Sequence, residues 1–368
     1  MSLNSIKSPA LILNEEICRR NIRKMCEKAS ICGVGLNPHF KTHQSDIIGS
    51  WFNDFGVERI TASSVGMADY FFNADYDDVT IAFPFNIRET EWVNSLDRNK
   101  KLTLDVISRK TASYLATHLK RQVHIMIEID AGYGRTGVNC KDLGTIEAIL
   151  DVIYNSDHMD FYGFYIHPGH SYDVDSKQKI RDIIAETLAC LGTLKQRYIS
   201  DYPNLKCSMG DTPGCSVVNE FLGIDEIRPG NFVFYDLMQY QLGSCELEDI
   251  AVALAAPVVA KDDKRREIVV HGGAVHLSKD GLTRSDGAPD FGWVSLFNDN
   301  GWELPDGQTY IRKLSQEHGI VRCSEAFYER ANIGELVAIL PAHSCLTADC
   351  MKRYFTLNGE EIRMMTVF

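Results

Sequence analysis

The sequence predicts a (β/α)8 barrel followed by a mostly antiparallel β domain. Eight short apolar runs alternate with eight stretches of helical spacing over about 200 residues, as in a parallel barrel wrapped in helices. Beyond about residue 240 the alternation stops, and strand-like segments follow one another between Gly, Asp and Asn turns. The main rival, a doubly wound open sheet, expects a glycine-rich turn directly after its first strand. Here Gly33 and Gly35 precede that strand instead.

The elements follow in order. Pro9 to Leu13 reads as a short apolar strand. Asn14 suits a helix N-cap, and Glu15 and Glu16 suit the positive first turn. Ile17, Ile22, Met25 and Ala29 recur at helical spacing until Gly33 and Gly35 stop the helix. The first barrel strand is expected at 38–44. Further strands are expected at 59–62, 78–83, 102–107, 123–129, 161–166, 205–209 and 226–228, with a helical stretch after each of the first seven. Later strands are expected at 251–260, 266–271, 310–314 and 335–340. The expected division is a barrel at 14–240 and a β domain at 241–368 that also takes the strand in 1–13.

Composition narrows the function classes. A net charge of −12 argues against sequence-independent nucleic-acid binding, which rests on clustered Lys and Arg. Eleven cysteines without a CxxC pair suit reduced thiols, so a cytoplasmic location is expected. The first residues lack the apolar core of a signal peptide, and no run approaches the roughly 20 apolar residues of a membrane helix.

A (β/α)8 barrel places chemistry at the C-terminal ends of its strands. Lys41 stands there in Pro38-His39-Phe40-Lys41-Thr42-His43. On an extended strand His39, Lys41 and His43 share one face. Partial desolvation and nearby imidazoles lower a lysine's pKa and suit it to nucleophilic or base chemistry. After strand 7, Gly210-Asp211-Thr212-Pro213-Gly214 precedes a helical piece. Thr212, Gly214 and the turn Gly230-Asn231 suit a phosphate, often held after strands 7 and 8. Arg135, between Gly134 and Gly137, offers a rigid fork to an anionic oxygen. His167 and Tyr172 follow strand 6. In the β domain His343 and Cys345, side by side on an extended segment, offer imidazole and thiolate to zinc. Plain roles fit the same residues: a solvated lysine, two ordinary turns, an Arg135–Asp130 ion pair, core histidines and a buried structural cysteine.

Taken together in this order, these motifs resemble the fold-type III pyridoxal-phosphate enzymes, which pair an alanine-racemase-like barrel with a β domain. The D-serine dehydratase and D-threonine aldolase branch is the one resembled. Pro38-His39-Phe40-Lys41-Thr42-His43, Gly134-Arg135-Thr136-Gly137, His167-Pro168-Gly169-His170, Gly210-Asp211-Thr212-Pro213, Arg228-Pro229-Gly230-Asn231 and His343-Ser344-Cys345 carry the resemblance. It implies that Lys41 bears pyridoxal 5'-phosphate. Thr212, Gly214, Gly230 and Asn231 are implied to hold its phosphate, Arg135 to contact its ring oxygen, and His167 and Tyr172 to line it. His343 and Cys345 are implied to hold a divalent metal: zinc in the dehydratase branch, manganese in the aldolase branch, where an Asp tends to replace Cys345. The thiol favours dehydratase chemistry, the α,β-elimination of a D-β-hydroxy amino acid such as D-serine to pyruvate and ammonia. Retro-aldol cleavage, racemisation and cofactor carriage without turnover are the alternatives. The β domain counts against the last. A homodimer is also implied.

Overall fold

The computed structural model describes residues 5–366. The chain divides into two compact units. One comprises Lys24–Gly230; the other comprises the described residues up to Arg23 together with Asn231–Thr366. These divisions stand against 13/14 and 240/241 drawn from the sequence. Residues after 230 fall in the second unit because Asn231 and Asp236 hydrogen-bond Ser344 there. No helix among the described residues is long and apolar enough to cross a membrane.

The chain opens with strand β1 (Ala10–Leu13) and helix α1 (Glu15–Ile31). Asn14 Oδ1 accepts from Ile17 N at 3.2 Å, the N-cap expected from sequence.

Eight parallel strands then form the barrel: β2 (Gly35–Leu36), β3 (Arg59–Ala62), β4 (Asp78–Pro84), β5 (Lys101–Val106), β6 (Val123–Asp130), β7 (Met159–Ile166), β8 (Lys206–Met209) and β9 (Glu226–Ile227). Their order is β2-β9-β8-β7-β6-β5-β4-β3. The ring closes where the chain after β2 meets β3. His39 bridges Thr61, Phe40 N donates to Thr61 O and Thr61 N to Pro38 O, each of these two bonds at 2.9 Å. In β6 the run from Ile125 to Ile129 is buried throughout, Glu128 included, so burial does not alternate along it.

Helices α2 (Asp46–Asn53), α3 (Val65–Phe72), α4 (Thr90–Ser95), α5 (Arg109–His118), α6 (Leu143–Tyr154), α7 (Lys177–Tyr198) and α8 (Thr212–Val217) follow the barrel strands in turn. Ser64, Ser108, Ser176 and Asp211 cap four of them, each side chain accepting a hydrogen bond from the first turn.

The segment 38–44 departs from expectation. Only His39 takes a strand pairing, and residues 40–43 form a turn. Gln44 N bonds Phe40 O at 2.9 Å, and Gln44 has φ +48°. Aromatic packing is the cause: the His43 ring is buried against Phe40, Phe52 and Phe71, at centroid distances of 4.4, 6.0 and 6.1 Å. Lys41 is exposed while His43 is 1% exposed, so the two do not share a face.

The second unit holds α9 (Leu237–Gln241), β10 (Val252–Asp262), β11 (Glu267–His271), α10 (Ala274–Leu277), β12 (Gly292–Asn298), β13 (Tyr310–Leu314), β14 (His318–Arg322), α11 (Glu325–Arg330), β15 (Leu336–Pro341), α12 (Ser344–Met351), β16 (Arg353–Thr356) and β17 (Glu361–Arg363). The sheet order is β11-β14-β13-β12-β15-β10-β1-β16-β17, and β10 also pairs with β11. Its pairings are antiparallel except β1–β16. Leu254, Val270, Val294, Ile311, Val321 and Ile339 form its core. Each such side chain contributes about 1.5–3 kcal/mol by leaving water.

Candidate active site

Lys41 sits on the turn that leaves the C-terminal end of β2. Its backbone is held on both sides: Lys41 N donates to His39 Nδ1 at 3.3 Å, and Gln44 Nε2 donates to Lys41 O at 3.2 Å. His39 N in turn bonds Pro229 O at 2.9 Å, tying the turn to the loop after β9. Burial, reinforced by the charges of Lys41, His167, Arg228 and Arg135, holds the His39 imidazole well below its ordinary pKa. Those groups therefore share one neighbourhood on the barrel, and it suits an anion.

His167, at the end of β7, bonds the carbonyl of Gly210 through Nδ1. That contact puts the proton on Nδ1 and leaves an Nε2 lone pair. Burial, with Arg135 and Lys41 adding to it against the Gly210 bond, lowers the ring to about 4, so it is neutral near pH 7. Tyr133 lies across this edge, its ring 5.7 Å from His167, 6.3 Å from His170 and 5.4 Å from the Arg135 guanidinium. A Cβ on Gly169 would come within 2.4 Å of that ring, so only glycine fits there.

The loop before α8 is a tight cradle. Asp211 is buried, accepting from Ser171 Oγ at 2.7 Å and from Gly214 N at 2.6 Å. Burial lifts its carboxyl to about 6, the two hydrogen bonds opposing. Thr212 N donates to Tyr172 OH at 3.2 Å. Thr212 Oγ1 is buried and has no hydrogen-bond partner among the described residues. Added Cβ atoms on Gly210, Gly214 and Gly230 would meet Arg228 Cβ at 2.6 Å, Ile184 Cδ1 at 2.4 Å and His39 O at 2.8 Å. Arg228 is itself fully buried, bonding Ser208 Oγ, Thr61 Oγ1 and Glu226 Oε2 across the barrel. Nearby, Asp105 is buried with neither carboxyl oxygen hydrogen-bonded to a described residue. Burial and the Glu128 charge hold it well above the usual carboxylate range, against the pull of Arg228.

In the second unit the chain after β15 turns into α12. His343 is the N-cap in extended backbone, and Cys345 is the second residue of the helix. The pair is therefore not the continuous extended segment expected, yet Cys345 is near enough to raise the His343 ring. Each has a polar partner. Asp280 Oδ2 lies 2.8 Å from His343 Nδ1, and Asn231 Nδ2 lies 3.4 Å from Cys345 Sγ. Asn231 Nδ2 also donates to buried Asp236 at 2.7 Å, and Asp236 accepts from Ser344 N at 3.0 Å. Burial pulls the His343 ring down, but Cys345, Asp236 and Asp280 together raise it to about 10. No three His, Cys, Asp or Glu side chains among the described residues converge to hold a metal.

Two family models match this chain: "Alanine racemase, N-terminal domain" over residues 80–237 and "Putative serine dehydratase domain" over 251–357. A D-serine dehydratase of Dictyostelium discoideum is 29% identical, covering 97% of this chain and 95% of its own. A D-threo-3-hydroxyaspartate dehydratase of Delftia sp. (strain HT23) is 27% identical, covering 98% and 96%. Along nearly its whole length the chain is thus similar to D-serine and D-threo-3-hydroxyaspartate dehydratases, with an alanine racemase N-terminal match followed by a serine dehydratase match. The solved structure of D-threo-3-hydroxyaspartate dehydratase from Delftia sp. HT23 superposes with a TM-score of 0.90 at 25% identity, covering the whole of both chains.

The cofactor that the sequence resemblance implies, pyridoxal phosphate, can be tested against these residues. An exposed lysine among cationic neighbours, a cradle that admits only glycine, and the orphaned Thr212 hydroxyl fit a phosphorylated aldehyde. Lys41, Arg135, His167, Tyr172 and Gly230 lie in connections that follow barrel strands, and Thr212 and Gly214 lie in the first turn of α8. Asn231 differs: it lies in the second unit, and its side-chain amide is engaged by Asp236, Ser344 and Cys345. Asp280, Asp236 and Arg228 were not singled out from sequence. Only Arg228 carried a signal, as the start of Arg228-Pro229-Gly230-Asn231.

Proposed function

We propose that this protein is a pyridoxal-phosphate- and metal-dependent lyase that removes water from D-serine or a related D-β-hydroxy amino acid, giving a 2-oxo acid and ammonia. The observation that carries the choice of elimination is the thiol of Cys345 beside His343, a donor pair suited to zinc rather than to a harder cation.

Pyridoxal phosphate, when bound, supplies the electron sink that makes the substrate Cα–H acidic. Lys41 would hold the cofactor through Nζ, and its amine, when free, would serve as the base for the substrate Cα proton. Arg135 presents its fork to the ring oxygen. Thr212 Oγ1 donates to the phosphate, and Gly214 and Gly230 leave room for it. Neutral His167 keeps its Nδ1 proton on Gly210 and offers no second positive charge to the ring. Tyr172 fixes Thr212 through the hydrogen bond on its backbone N–H. A divalent cation on His343 and Cys345, zinc in this reading, supplies Lewis acidity toward the departing hydroxyl, a poor leaving group on its own. The assembly in this reading is a homodimer, checked by sedimentation.

The test is product identification after incubation with D-serine and D-threonine, with and without a chelator. Pyruvate and 2-oxobutanoate, lost on chelation and restored by zinc, are expected. Glycine plus an aldehyde, or only the L-enantiomer, overturns the assignment.

A further inference from the structure

We propose that Asp280 is a positioning residue that sets His343 for metal binding. The role rests on the metal reading above. Asp280 Oδ2 sits 2.8 Å from His343 Nδ1. A carboxylate on that nitrogen keeps the proton there, directs the Nε2 lone pair toward a cation and makes the imidazole a stronger donor.

The backbone delivers Asp280 to this place independently of His343. Helix α10 ends on Ser278 at φ +69°, a left-handed conformation that a serine rarely adopts. Ser278 N closes on Ala274 O at 2.9 Å, and Ser278 Oγ accepts from Asp280 N at 3.1 Å. Thr347 Oγ1 donates to Leu277 O at 3.2 Å, joining the end of α10 to α12, the helix that starts with Ser344 and Cys345. Asp280 is therefore tied, through the hydroxyls of Ser278 and Thr347, to the helix that follows His343 and bears Cys345 in its first turn. Cys345 has its own partner in Asn231, so each proposed ligand is oriented by a different polar residue.

The experiment is cobalt(II) binding to the cofactor-loaded protein, by chelator competition and by the cobalt ligand-field absorption. Asp280→Ala is expected to weaken cobalt binding about 10–100-fold and to shift the band. Asp280→Asn is expected to recover part of the loss, because an amide oxygen still accepts from Nδ1–H without the charge. Far-ultraviolet circular dichroism and the visible absorbance of the Lys41-bound cofactor are expected to be unchanged in both. An Asp280→Ala protein with wild-type cobalt affinity and band overturns the role and leaves the metal reading intact. Should the alanine variant not fold, Asp280→Asn decides on the same two readouts. A wild type that takes up no cobalt, or a Cys345→Ala variant that binds it as tightly, overturns the metal reading and the role with it.

Discussion

Lys41 owes its setting to segments that follow five different barrel strands, whereas His343 and Cys345 come from the N-cap and first turn of a single helix. The barrel rim is largely a backbone site. Glycines at 210, 214 and 230 clear space, carbonyls orient His167, and one orphaned hydroxyl waits for a ligand. The proposed metal pair is a side-chain site whose polar partners are Asp280 for His343 and Asn231 for Cys345. A backbone site resists small changes around it, since the main chain of a packed barrel moves little. A side-chain site depends on each hydrogen-bond partner separately. The two should therefore fail in different ways.

The largest effect is expected from Lys41→Ala. Turnover should fall by at least about 10²–10⁴-fold, the range for loss of a positioned base, and the visible absorbance of the bound cofactor should change. Cys345→Ala comes next. Activity should drop more than the roughly 10–100-fold typical of removing an outer partner, with bound metal lost by elemental analysis and the cofactor absorbance retained. If that variant also loses the cofactor, the two sites are not chemically separable.

Thr212→Val sharpens the contrast. Removing a hydrogen bond to a charged phosphate costs about 1.5–3 kcal/mol, so cofactor affinity should fall about 10–100-fold by fluorescence titration. The cofactor-free protein should be unchanged or more stable by about 1 kcal/mol in urea, because a buried orphan hydroxyl becomes a methyl group. A cofactor-free protein clearly destabilised by this change would show that the hydroxyl is structural.

The gentlest effect concerns pH. Burial lowers His43 to about 3 and His167 to about 4, from the ordinary 6.5. Their unfolded forms then bind protons that the folded forms do not. Stability is complete above about 6.5 and declines as pH falls through the folded values, by at most about 1.4 kcal/mol per pH unit per histidine. Urea midpoints at pH 7.5, 6 and 5 check the slope, and His167→Asn should make it shallower.

The architecture was legible because parallel barrels impose a repeat. Each buried strand is a short apolar run, and each helix begins with a polar cap such as Ser64, Ser108 or Ser176. Lys41 was legible as a rim residue but not in its local form. Alternation predicted one face for His39, Lys41 and His43, and the burial of His43 against Phe40 and Phe52 turned the chain instead. His343 and Cys345 were visible as a spacing. Their partners were not, since Asp280 lies 63 residues from His343 and Asp236 lies 108 from Ser344. Nothing local in Ser278-Lys279-Asp280 announces a histidine partner; only the left-handed turn at Ser278 brings it there. Asn231 shows the converse. Its Gly-Asn context pointed to phosphate, while its amide serves Asp236 and Cys345.

The barrel rim as a cofactor site underlies the rest, and one measurement reaches it directly. The cofactor-loaded protein is reduced with borohydride, digested and mapped by peptide mass spectrometry. The account predicts the reduced pyridoxyl phosphate mass on the peptide containing Lys41 and on no other. An adduct on another lysine, or none at all in a protein that retains its colour before reduction, would contradict it.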